Sequence, residues 1–218
     1  MIDPRCAVCL SFALATSLAA QSDRAGRPGP RIMLPRATEI ALARSAAPAS
    51  VSAQATVLIL SDTGYAVGER GSNGVTCLVD RSQPRSLEPH CFDPEATATV
   101  LPIHIRQTEL LREGKSMAEV DRDIAQGLLS GRYRLPRRPA MTYMMSAGQV
   151  LYDDDGKLVG RWRPHLMIFM PYLTSADLGL GGPPSTRAAM VVDEGKPLAN
   201  ILVVVNDFVQ PDSTASAR

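Results

Sequence analysis

The chain has 218 residues, a formal net charge of +1 and 45% hydrophobic residues, which suits one domain able to bury a core. That balance excludes the basic footprint of a nucleic-acid binder or of a protein held by charge on an anionic membrane. Lysine occurs only at 115, 157 and 196, the other basic residues being arginine, and no partner is read from that bias.

The N-terminus has the layout of an export signal. Arg5 is a thin basic region weakened by Asp3, Cys6 to Leu18 is an apolar run, and Ser17-Leu18-Ala19 offers small residues for cleavage. The expectation is a signal peptide over 1–19 and a periplasmic or secreted protein. The alternative is an uncleaved membrane tether, although the run is shorter than the roughly 20 apolar residues that a span needs. Cys6-Ala7-Val8-Cys9 has redox or zinc spacing, but lies inside the signal. Neither cysteine follows the apolar run, as a lipid-modified one would. The mature chain keeps Cys77 and Cys91, and an even pair in an exported protein predicts a disulfide whose closure stabilises by roughly 3 kcal/mol.

Residues 20–36 are Gly-, Pro-, Arg- and Ser-rich and predict a flexible tether. Pro35 can occupy the first turn of an alanine-rich helix running to Arg44 and ended before Pro48. A β-meander follows: Ala55 to Leu60, a turn at Ser61-Asp62-Thr63-Gly64, Tyr65 to Arg70, a turn at Gly71-Ser72-Asn73-Gly74, and Val75 to Val79. Asn73-Gly74 is a hairpin signal, since both residues tolerate positive φ. Arg81 to Pro89 reads as a loop. Asp93 caps a helix with Pro94 in its first turn, Pro102 must kink or restart it, and Gly114 stops it. Ser116-Met117-Ala118-Glu119 is a capping box opening a helix with Met117, Val120, Ile124 and Leu128 on one stripe, ended at Gly131.

After the connector 132–139, strands are expected at Met141–Met145, Gln149–Tyr152, Leu158–Trp162, from His165, at Ala188–Val192 and at Ile201–Val205, with a loop over Gly179–Pro184. The sum is a single α+β domain over 37–210, a mainly antiparallel sheet with two or three covering helices, and a disordered tail over 211–218.

Chemistry is sparser. His165, between Arg163-Pro164 and the apolar run Leu166–Met170, can be a base, a ligand-binding donor or an imidazole satisfied by a backbone carbonyl. With Tyr143, Ser146 and Tyr172 it forms the candidate ligand-binding set, aromatic area beside polar groups; Trp162 has the same character. A hydrolase using His165 as base needs Cys77 as a free thiol, or Ser146 within reach of the imidazole. His90, His104 and His165 show no ligand spacing along the chain. Asp153-Asp154-Asp155-Gly156 lacks the alternation and closing Glu of a calcium loop. No metal and no cofactor are therefore expected, and there is no phosphate loop or nucleophile elbow.

The segments Asn73–Arg81, Pro89-His90-Cys91, Tyr143–Ser146 and Pro164–Tyr172 resemble a group of exported bacterial proteins with no assigned activity. The resemblance implies an exported bacterial protein and nothing about mechanism. The functional expectation is an exported domain binding an unknown small molecule or envelope partner near His165. The alternatives are the hydrolase and a membrane-tethered envelope protein; nucleic acid is not expected, and membrane contact only if the N-terminal segment stays uncleaved.

Overall fold

The computed structural model describes residues 31–153, 155–180 and 189–211. The expected signal segment, most of the tether, Asp154, the last four residues of the Gly179–Pro184 loop, the first residue of the strand expected at Ala188–Val192 and the tail past Pro211 lie outside them. Where the described chain begins it is already engaged: Ile32 N donates to Pro84 O at 2.8 Å and Arg31 Nε donates to Arg81 O at 3.2 Å. The last residues of the predicted tether thus belong to the fold.

Helix α1 (Arg36–Arg44) starts after Pro35 and is followed by a single turn, α2 (Ala49–Ser52). Strands β1 (Thr56–Ser61) and β2 (Gly64–Glu69) form the expected hairpin. Strand β3 (Thr76–Asp80) departs from the meander: it pairs with β1 in parallel, on the side away from β2. The chain reaches that side by crossing the start of β1. A Cβ on Gly71 would stand 2.2 Å from the backbone of Gln54 and Ala55, so only glycine permits the crossing. Asn73-Gly74 still turns the chain, with Gly74 at φ 77° and the Asn73 side-chain Oδ1 accepting from Val75 N, but it closes this crossover rather than a hairpin.

A second departure is β4 (Glu88–Phe92), whose first two residues fall in the stretch Arg81 to Pro89 expected to be loop. It pairs antiparallel with all of β3, while β5 (Ala140–Met144) pairs with it only at Cys91 and Phe92, so Pro89 lies outside the doubly paired part. Asp93 accepts from Ala96 N and caps α3 (Pro94–Thr99). Pro102 falls in the first turn of α4 (Leu101–Arg112), so the proline restarts the helix. The capping box of α5 (Met117–Leu129) forms in both directions, with Val120 and Ile124 buried and Met117 exposed.

Strands β8 (His165–Phe169), β9 (Ala189–Val192) and β10 (Asn200–Val204) complete an eight-stranded sheet of order β2-β1-β3-β4-β5-β8-β10-β9. Every neighbouring pair but β1/β3 is antiparallel. Strands β6 (Leu151–Tyr152) and β7 (Leu158–Gly160) make a separate ribbon. This is the predicted α+β architecture, with helices on both faces. On one face Ile40, Leu42 and Ala43 of α1 pack on Val57, Cys77, Val79 and Cys91. On the other, Ala96, Val100 and Leu101 cover Leu78, Phe92, Ala140 and Phe169, and α4 meets α5 through Ile103, Leu110, Val120 and Ile124.

Two buried features join β3 to β4 and the end of β3 to α1. Cys77 and Cys91 are register partners joined by the predicted disulfide. Arg81 and Glu39 form a fully buried ion pair, with guanidinium-to-carboxylate distances of 3.0 and 2.6 Å. Among the described residues no helix is long and apolar enough to cross a membrane.

Candidate functional site

The four residues proposed from sequence do not converge. Tyr143 packs with the α1-side core, and burial, with a contribution from Asp93, raises its phenol pKa. Ser146 is buried beside the C-terminus of α1, its Oγ 2.6 Å from Ser45 Oγ and accepting from Gly148 N. His165 is the register partner of Met144, so strand alternation turns it to the face opposite Tyr143. Its Nδ1 lies 2.7 Å from Arg163 O, and burial lowers its pKa against that bond. Tyr172 follows β8 at φ 64° and is 56% exposed. Trp162 is 57% exposed, outside the core. Cys77 has no thiol to offer, since its sulfur is in the disulfide. Neither Cys77 nor Ser146 therefore offers a nucleophile to the His165 imidazole.

A different cluster does converge. The Cys77–Cys91 register sets Leu78 opposite His90 and Asp80 opposite Glu88, so Asp80 and His90 share the face under α4. From α4, residues His104 and Thr108, four apart and hence on one side of the helix, both reach Asp80. His104 Nδ1 lies 2.9 Å from Asp80 Oδ2, and Thr108 Oγ1 donates to Oδ1 at 3.0 Å. Arg81 N also donates to Oδ1, at 2.7 Å. One donor atom from each of Asp80, His90 and His104 lies within 4.8 Å of the other two. Phe92 closes the inner side, edge-on to His104 at 5.3 Å and 5.7 Å from His90.

The electrostatics are those of a carboxylate among imidazoles. Burial alone would raise the Asp80 pKa, but the hydrogen bond and charge of His104 overcome it and hold the carboxyl well below its usual range. Ionised Asp80 only accepts, so His104 Nδ1 donates, which leaves Nε2 as the ring nitrogen that Asp80 does not engage. His90 is 4% exposed, and burial, helped by His104 and by His165 on the same face, lowers its pKa to about 3. It is a neutral imidazole whose Nδ1 is buried without a hydrogen-bond partner. Glu88 borders the site, its pKa raised by burial and by Asp80.

Two imidazoles and a carboxylate are the donor set of zinc and related divalent transition ions, not of calcium or magnesium. Donors about 2.0–2.1 Å from a tetrahedral ion stand about 3.4 Å apart, so the 4.8 Å within which donor atoms of Asp80, His90 and His104 lie leaves at most about 1.4 Å to close. A side-chain torsion supplies such a movement. Asp80 can serve as ligand or as the carboxylate that orients His104. The Asp80 and His104 side chains are 16% and 18% exposed, so the cluster reaches solvent on one side, where a fourth ligand can be water.

The chain separations 80, 90 and 104 carry no metal motif, which is why sequence reasoning missed the cluster. Part of it was legible: pairing Cys77 with Cys91 in an antiparallel hairpin puts residues 80 and 90 on one face by arithmetic. No local signal docks His104 there, because α4 is placed by Val100 and Leu101 packing on Leu78 and Phe92 and by Ile103 packing against α5. Comparison of the chain with protein-family models, with curated proteins and with solved structures finds no match.

Proposed function

We propose that this protein is an exported domain that binds a divalent transition ion of the zinc class through Asp80, His90 and His104. The observation that carries the reading is the buried His90 Nδ1, which has no partner although it lies beside an ionised carboxylate and a second imidazole. Leaving such a group unpaired costs stability, and metal coordination gives it a role that a purely structural core residue lacks. The reading places binding under α4 and not around His165, because Tyr143 and Ser146 sit on the other face. The buried Cys77–Cys91 disulfide supports export into a periplasmic or extracellular space, since such bonds persist where the environment is oxidising.

The test is metal content and affinity. Protein prepared metal-free and dialysed against zinc should bind one equivalent, with affinity at least 100-fold weaker in His90→Ala and in Asp80→Asn. Equal binding by wild type and both variants refutes the site. A second reading rests on the 2.9 Å bond between His104 and Asp80: an imidazole oriented by a carboxylate is also a general-base arrangement. Hydrolytic activity that survives a chelator and is lost in His104→Gln would favour it over metal binding.

A further inference from the structure

The connector that leads into β5 runs back along α3. It encloses a cleft of about 380 Å³ lined by Glu95, Ala98 and Thr99 of α3 and by Arg134, Leu135, Arg137 and Arg138. Glu95 fastens the connector: its carboxylate accepts from Arg137 N at 3.2 Å and from Arg138 Nε at 2.8 Å. Pro136 is buried, and Pro136 and Pro139 fix φ on either side of Arg137-Arg138. The backbone that presents the guanidinium groups is therefore held before any ligand arrives.

Three guanidinium groups face one carboxylate, and that carboxylate is engaged. Several arginines elsewhere find acceptors: Arg44 pairs with Glu69, Arg81 with Glu39, and Arg106 and Arg132 with Asp123. Among the described residues the Arg134 and Arg137 guanidinium groups make no hydrogen bond or ion pair. Like charges gathered in a concavity repel one another and focus a positive potential there. An anion that answers two of them removes the repulsion, and the guanidinium fork matches an oxyanion by two parallel hydrogen bonds.

We infer that this cleft binds a phosphate ester. The excess of two positive charges matches a group carrying about −1.5 to −2 at neutral pH, where a carboxylate brings only one. The volume is at the small end of ligand pockets, which span about 300–1,000 Å³. It leaves room beyond the phosphate for a short organic part against Ala98 and Leu135. A soluble monoester and the phosphodiester headgroup of an anionic phospholipid share the oxyanion that the guanidinium fork reads, the ester with up to two charges and the lipid with one. The site is separate from Asp80, His90 and His104 and does not depend on metal.

The experiment uses the full processed chain with two probes, glycerol 3-phosphate by calorimetry and phosphatidylglycerol against phosphatidylcholine vesicles by co-sedimentation. The variant is Arg134→Gln/Arg137→Gln. Arg85→Gln/Arg122→Gln, two exposed arginines outside the cleft, matches its change in net charge. Saturable binding of glycerol 3-phosphate, weakened at least tenfold in the cleft variant and unchanged in the control, assigns a soluble ester. Selective capture by phosphatidylglycerol vesicles with the same variant pattern, and no response to glycerol 3-phosphate, assigns the lipid headgroup. Absence of both, or equal loss in the cleft and control variants, overturns the inference. All four positions are exposed, so unchanged urea midpoints are expected and separate lost binding from lost folding.

Discussion

Replacing His90 by leucine separates a ligand from a structural imidazole, because the two roles predict opposite signs for the stability of the metal-free protein. His90 is 4% exposed, its Nδ1 lacks a partner, and it faces Leu78 across the β3–β4 hairpin with Phe92 and His104 alongside. A buried unsatisfied nitrogen costs about 1–3 kcal/mol, and leucine removes it at similar volume while adding apolar burial. Metal-free His90→Leu should therefore be about 1–2 kcal/mol more stable than metal-free wild type after a modest repacking loss. In a described domain of this size that is a rise in Tm of about 2–8 °C. Zinc at 100 times its Kd should add about 2.7 kcal/mol to the wild type and nothing to the variant. The assay is urea and thermal unfolding of both proteins with and without zinc. If metal-free His90→Leu loses 2 kcal/mol or more, the imidazole is satisfied by a buried water, and the argument from its unpaired nitrogen fails.

Further outcomes follow from the buried charges and the disulfide. Glu39→Gln leaves the Arg81 guanidinium enclosed without its counter-charge and should destabilise by about 3–5 kcal/mol, whereas Glu39→Leu/Arg81→Met should lose much less; equal losses in urea unfolding would refute a pair held together by mutual compensation. Reduction of Cys77–Cys91, which closes a loop with a sequence separation of 14, should lower stability by about 3 kcal/mol. An unchanged urea midpoint in the presence of reductant under unfolding conditions would contradict it. His165 is neutral in the fold because burial lowers its pKa, so its contribution is complete above the unfolded value of about 6.5 and is lost as pH falls from there through the folded value. His165→Asn should flatten that part of the stability profile, and an identical acid slope in the two proteins would count against it.

Local chemistry was legible wherever a short stretch settles its own conformation. The capping box at Ser116–Glu119, the Asp93 cap, the restart of the helix at Pro102 and the Ser61–Gly64 hairpin need only neighbours a few residues away, and the disulfide was expected from the one even pair that follows the N-terminal apolar run. What the chain does at longer range was not legible. Asn73-Gly74 marks a turn, but whether β3 returns beside β2 or crosses to the far side of β1 depends on the close passage of Gly71 over Gln54 and Ala55. Pro89 hides β4 from propensity, because proline disfavours a central strand unless its neighbours make no demand for its amide. Tyr143, Ser146, His165 and Tyr172 looked alike as polar or aromatic residues near apolar strands. The alternation of β5 and β8 then sends Tyr143 and His165 to opposite faces. Only packing of α4 on the sheet brings His104 to Asp80 and His90, since side chains 10 to 24 positions apart meet through the burial of apolar residues that carry no record of which polar groups will travel with them.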